Sequence, residues 1–165
     1  MTNIVSNKPL LELQRFSKLF VKEANLAIII LLAVAILAFP YFLKESNLPL
    51  GKESYDNLRI AKKILNEKGL PDNNFIGWPL LIALTGFIFR LPVEIAMNIL
   101  LFLLGIVCVI LFYNILRIYN SEVRSFSCLA LVISPAFIYL FLEGDKYTVP
   151  IVLSLLLTYF INFFN

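Results

Sequence analysis

The chain has no histidine. Without an imidazole there is no Ser-His-Asp or Cys-His pair, no side chain that shuttles protons at its ordinary pKa near neutrality, and no zinc site built on ring nitrogens. Charge is scarce as well. Asp, Glu, Lys and Arg make up 15% of the 165 residues and hydrophobic residues 60%, a balance typical of multi-span membrane proteins rather than soluble domains. The net charge of +3 is small and scattered, and the aromatic residues sit in apolar runs instead of among bases, which argues against nucleic acid as a partner. The two cysteines, Cys108 and Cys128, also fall in apolar runs, where a thiol packs as a small hydrophobe. Catalysis, if any, rests on carboxylates, Lys, Arg or Tyr, or on a hard cation such as Mg²⁺ or Mn²⁺ held by carboxylate oxygens.

What is present is a series of long apolar runs. In hydrocarbon every backbone N–H and C=O must be satisfied internally, and runs that are continuous rather than alternating must do this as helices. The fold class expected is an all-α integral membrane protein. It has about four transmembrane helices, an amphipathic helix on the outer face and a short interfacial or re-entrant helix. Residues 1–23, with Lys8, Arg15, Lys18 and Lys22 and with Leu13, Phe16 and Phe20 at helical spacing, read as a cytoplasmic amphipathic helix. Residues 24–165 form the membrane domain, and its first outer loop is 44–94. Ala24–Leu43 is an uncharged signal anchor long enough to cross. Ile95–Leu116, Ser125–Leu142 with a kink at Pro135, and Tyr147–Phe164 follow as further spans. Phe75–Phe89 is short for a span and reads as interfacial, starting at headgroup level with Trp78 and Pro79. If it does not cross, the first loop and the turn Glu143–Lys146 share the outer face of a cell membrane, with the N-terminus inside.

The first loop holds a second helix. Tyr55, Leu58, Ala61 and Leu65 share one face, Gly69 is a C-cap and Pro71 a stop. A helix resting on the lipid surface with its charges in water accounts for that pattern. Glu53 and Asp56 stand at its start, where the helix dipole favours carboxylates whether or not they bind anything. A second acidic pair, Glu143 and Asp145, flanks Gly144 at the mouth of a span. Such a pair can present several oxygens to one divalent cation, or form an ordinary polar turn with Lys146 as counter-charge.

The order of a span, the loop ESYDNLRIAKKILNEKGLP, GWPLLIAL, a span, and LALVISPAFIYLFLEGD resembles the N-terminal part of GT-C class membrane glycosyltransferases, which include oligosaccharyltransferase catalytic subunits and protein mannosyltransferases. The resemblance implies that Glu53, with Tyr55, Leu58 and Arg59 after it, stands where the family has its catalytic or metal-binding Asp. It also implies that Glu143 and Asp145 supply the second acidic motif, with Mg²⁺ or Mn²⁺ as the cation held by Glu53, Glu143 and Asp145. Arg59 and Lys62 would then offset phosphate charge on a polyprenyl-phosphate sugar donor. Glu for Asp in the first loop, and Glu-Gly-Asp for the second motif, depart from the oligosaccharyltransferase pattern. The resemblance covers only the beginning of the family's architecture, which implies a truncated or split enzyme, or a reduced protein with a partner chain that supplies the missing spans. The alternative is a non-catalytic multi-pass subunit that docks a partner or lipid headgroups.

Overall fold

The computed structural model describes residues 8–43, 51–67, 76–119, 123–144 and 147–164. Among these, every element is α-helical: α1 (Lys8–Leu43), α2 (Lys52–Glu67), α3 (Gly77–Phe89), α4 (Val93–Tyr119), α5 (Arg124–Ile133), α6 (Pro135–Glu143) and α7 (Thr148–Phe164). Two helices are long and apolar enough to cross a membrane, over Asn25–Leu43 and Val93–Ile118, and α5 with α6 makes a third if that bent pair is one span. The N-terminal segment from Lys8 and the first apolar run form one continuous helix. The side chains of residues 8–24 lie outside what the structure describes, and with them the amphipathic face expected of Leu13, Phe16 and Phe20; Gly69 and Pro71 lie outside the described residues.

The break between α5 and α6 is sharper than a proline kink. The two helices meet at 56°, because Ser134 leaves helical geometry (φ −65°, ψ 136°) and becomes the N-cap of a new helix with Pro135 in its first turn. Ser134 Oγ accepts from the Phe137 N–H at 3.2 Å, satisfying one of the orphan donors of the new helix, and Pro135 has no N–H to orphan.

α4 is the spine, packed along its length against two different sets of helices. Its first turns bury Val93, Met97 and Leu101 with Leu58 and Ala61 of α2 and with Trp78, Ile82 and Ala83 of α3. Farther along, Cys108, Val109, Leu111 and Tyr113 pack with Ile29, Ala33 and Leu37 of α1, Cys128 and Val132 of α5, Phe141 of α6 and Val152 of α7. Each fully buried aliphatic or aromatic side chain of this kind contributes about 1.5–3 kcal/mol relative to exposure to water. In a membrane the reference is lipid, so tight packing and polar contacts carry more of the specificity.

Contacts along α4 fix the helix directions. Tyr41 of α1 donates to Asn98 Oδ1 at 3.3 Å, and Leu37 lies against Gly105, so α1 and α4 are antiparallel. Arg124 stands over the Tyr113 ring at 4.2 Å, Phe141 presses on Gly105 and Gly144 on Met97 and Leu101, so α5 and α6 run antiparallel to α4 as well. The ends of α1 and α6 and the starts of α4 and α7 therefore gather at one end of the bundle, and α2 and α3 pack there.

Gly105 is a tight point within α4, since a Cβ there would stand 2.8 Å from Leu37 Cδ1 and 3.4 Å from Phe141 Cγ. Gly105→Leu is expected to lower stability by about 1–3 kcal/mol through overpacking, read as a reduced unfolding midpoint of the chain in detergent.

Candidate functional site

The α2 helix owes its position to the end of α6. The last carbonyls of a helix have no partner within it, and those of α6 are turned toward protein rather than left to water. Thr148 Oγ1 donates to the Leu140 carbonyl at 3.0 Å, Asn57 Nδ2 to the Gly144 carbonyl at 3.2 Å, and the Ser54 hydroxyl to the Glu143 carbonyl. Ser54 and Thr148 are fully buried. Three side chains from α2 and α7 thus close the C-terminus of α6, which Gly144 ends in the left-handed conformation (φ 62°).

The Glu143 side chain fits the other half of the junction. Its carboxyl carbon lies 2.6 Å from where a Cβ on Gly51 would stand, and Gly51 immediately precedes α2 with φ 93°. Only a residue without a Cβ fits that position. The carboxylate therefore lies at the N-terminus of α2, where free N–H groups and the helix dipole favour negative charge. Glu53 follows within the same first turn and is exposed.

The sequence-derived residues are placed as follows. Glu53 and Glu143 come to one junction, although 90 positions separate them in the sequence. Asp145 lies outside the described residues, so the expected trio of carboxylates is represented by two; among the described residues no three acidic or cysteine side chains converge on a metal position. Arg59 is exposed and reaches Asp56 at 4.0 Å, one helical turn back. Lys62 makes an ion pair with Glu94 at the start of α4, at 2.5 Å, which ties the middle of α2 to the spine.

Two contributors escaped sequence reasoning. Ser54 and Asn57 hold the junction and look, in sequence, like ordinary polar residues near a helix start. A serine and an asparagine three apart at the start of an amphipathic helix was the available signal, and it pointed as readily to capping. Away from the junction, toward the other end of α4, Arg124 is also buried, over the Tyr113 ring, where its charge gains from the ring face.

Beside the junction runs a groove of about 270 Å³, walled by Asn57, Trp78, Leu81, Val149, Pro150 and Leu153. It is apolar except at Asn57. Trp78 is buried, and its indole N–H has no hydrogen-bond partner among the described residues. The arrangement offers an exposed carboxylate on a fixed helix turn, with an apolar channel next to it. No family model matches the chain, and no curated protein or solved structure matches it either.

Removing the Ser54 hydroxyl leaves the buried end of α6 one donor short, whereas Lys62 and Glu94 are half and one-fifth exposed. Ser54→Ala is expected to cost about 1–3 kcal/mol, and Lys62→Ala no more than about 1 kcal/mol. Limited proteolysis of α2 in the two variants checks this order, with Ser54→Ala cleaved faster.

Proposed function

We propose that this chain is a polytopic membrane module that transfers a sugar from a polyprenyl-phosphate donor at its aqueous face, in the manner of the N-terminal part of a GT-C glycosyltransferase. In this reading α1, α4, the α5–α6 pair and α7 are four spans, and α3 lies at the interface. About 20 Å long, α3 falls short of the roughly 30 Å hydrocarbon core. The antiparallel register of α1 and α4 supports this, because the segment between them returns to the end it left and so makes no single crossing.

The observation that carries the proposal is the docking of the α2 N-terminal turn, with Glu53, on the α6–α7 corner, with Glu143. Glu53 takes a proton from the acceptor as the acceptor attacks the anomeric carbon. The bond from that carbon to the phosphate oxygen breaks, and the polyprenyl phosphate leaves with the electron pair. The apolar groove beside Asn57 suits the first isoprene units of such a donor, and Arg59 is an exposed cation on α2 for its phosphate. Lys62 could share that role only by leaving Glu94. The carboxylates of Glu53, Glu143 and Asp145 are the hard oxygen donors that Mg²⁺ or Mn²⁺ takes, and these residues would hold such an ion. When bound, it would neutralise charge on the leaving phosphate.

A non-catalytic membrane subunit is the second reading. What favours it is that Glu143 and Lys62 are already engaged, one at the start of α2 and the other with Glu94. The two readings separate on Glu53. In native membranes containing the complete assembly and supplied with polyprenyl-phosphate sugars, Glu53→Gln is expected to lower transfer by roughly 10²–10⁴-fold, the usual worth of a positioned general base, with chain abundance unchanged. Retained transfer overturns the catalytic role and leaves α2 as a docking element, whose buried Leu58 then becomes the sensitive position.

A further inference from the structure

We infer that the end of the bundle opposite the α2 junction is a phosphate site, in which Arg117, Arg124 and the first turn of α5 bind a phosphate group carried by a membrane lipid or free in water. The inference requires α4 to cross a membrane and is independent of sugar transfer.

Arg124 is only 4% exposed, yet among the described residues it has no carboxylate. Its Nε–H has no hydrogen-bond partner there, and neither ion pair among the described residues includes it. Glu53, Asp56, Glu94 and Glu143 stand on α2, at the start of α4 and at the end of α6, which is the far end of the bundle. The Tyr113 ring, 4.2 Å away, offers a favourable face but no full negative charge. A guanidinium has five donors, and burying it without a counter-charge is costly until an anion joins it.

Two further features converge on the same place. Arg124 is the first residue of α5, and a helical side chain leans toward its own N-terminus. Bonding within α5 begins with the Ser127 N–H on the Val123 carbonyl, so the N–H groups of Arg124, Ser125 and Phe126 have no carbonyl of α5 to meet. Val123 supplies no side-chain cap for them. The second feature is Arg117, which is exposed. It follows Tyr113 by four residues and so shares that face of α4, one turn farther out. Because α5 runs back along α4 from the level of Tyr113, that turn carries Arg117 past the start of α5.

An oxyanion is the ligand that fits. Guanidinium forks match phosphate oxygens in pairs, and a helix N-terminus presents N–H groups and positive dipole to the same group. The location also gives a lipid access. α4 is about 40 Å long against a hydrocarbon core of roughly 30 Å, so its last turn, with Arg117, reaches headgroup level. Ile118 and Phe126, close in sequence to the two arginines, are exposed apolar side chains that an acyl chain can cover.

The full chain in maltoside micelles is titrated calorimetrically with dihexanoyl phosphatidylglycerol and, separately, with sodium phosphate, each against protein-free micelles. Saturable binding of at least one is expected, and Arg117→Gln is expected to weaken it roughly tenfold. Ser125→Asp gives the first turn of α5 its own carboxylate. It is expected to keep or raise the thermal midpoint while weakening binding by a similar factor. These two variants carry the test because Arg124 is buried and its replacement can disturb folding. Lys52→Gln, at the opposite end, is expected to bind as the unaltered chain does. Binding of the lipid alone supports the site with a headgroup as its ligand, and binding of sodium phosphate with comparable affinity supports it with a free anion. No saturable binding of either probe, unchanged affinity in Arg117→Gln or Ser125→Asp, or an equal loss in Lys52→Gln overturns the proposal.

Discussion

The register of α1 against α4 governs the rest of the molecule. Tyr41 meets Asn98 and Leu37 meets Gly105, which brings residues 43 and 93 to the same end of the bundle. The helices α2 and α3, which lie between them in the chain, pack at that end, where α2 has an apolar seat on α3 and α4. Gly105 permits this register by letting two large side chains approach the α4 backbone. A bulkier residue there would push α1 outward and carry the first loop with it.

Once α2 is confined to that end, its start and the end of α6 complement each other. One helix terminus offers N–H groups and positive dipole, the other carbonyls and negative dipole. Glu143 and Ser54 bridge the two, the carboxylate toward α2 and the hydroxyl toward α6. The same contacts that satisfy two helix ends bring Glu53 and Glu143 to one junction. A structural need and a chemical opportunity therefore coincide, which is why the glycosyltransferase and subunit readings both grow from this junction and diverge at Glu53.

Much of the fold was legible because lipid leaves a long apolar run few choices. The runs at 24–43, 95–116, 125–142 and 147–164 each became helix, and the loop helix stands where Leu58 and Ala61 recur at helical spacing. Pro135 was visible as a disturbance, but its full effect was not, since that depended on Ser134 leaving helical geometry to cap a new helix. The junction was hidden for a different reason. Ser54 and Asn57 find their partners 89 and 87 positions away, and no local pattern distinguishes a serine that caps its own helix from one that closes another. The burial of Arg124 was hidden likewise, because the ring that covers it belongs to α4. The roles implied by family resemblance for Glu53, Arg59, Lys62, Glu143 and Asp145 stand as proposals, to which the geometry adds the nearness of Glu53 and Glu143 and the engagement of Lys62.

The central claim is that the start of α2 and the α6–α7 corner face the same side of a membrane. Single cysteines at Asp56, Tyr147 and Ile118, in a chain lacking Cys108 and Cys128 and inserted in sealed vesicles of known orientation, test it with an impermeant maleimide. The account predicts that positions 56 and 147 are labelled from one side and position 118 from the other. Labelling of 56 and 147 from opposite sides would contradict it.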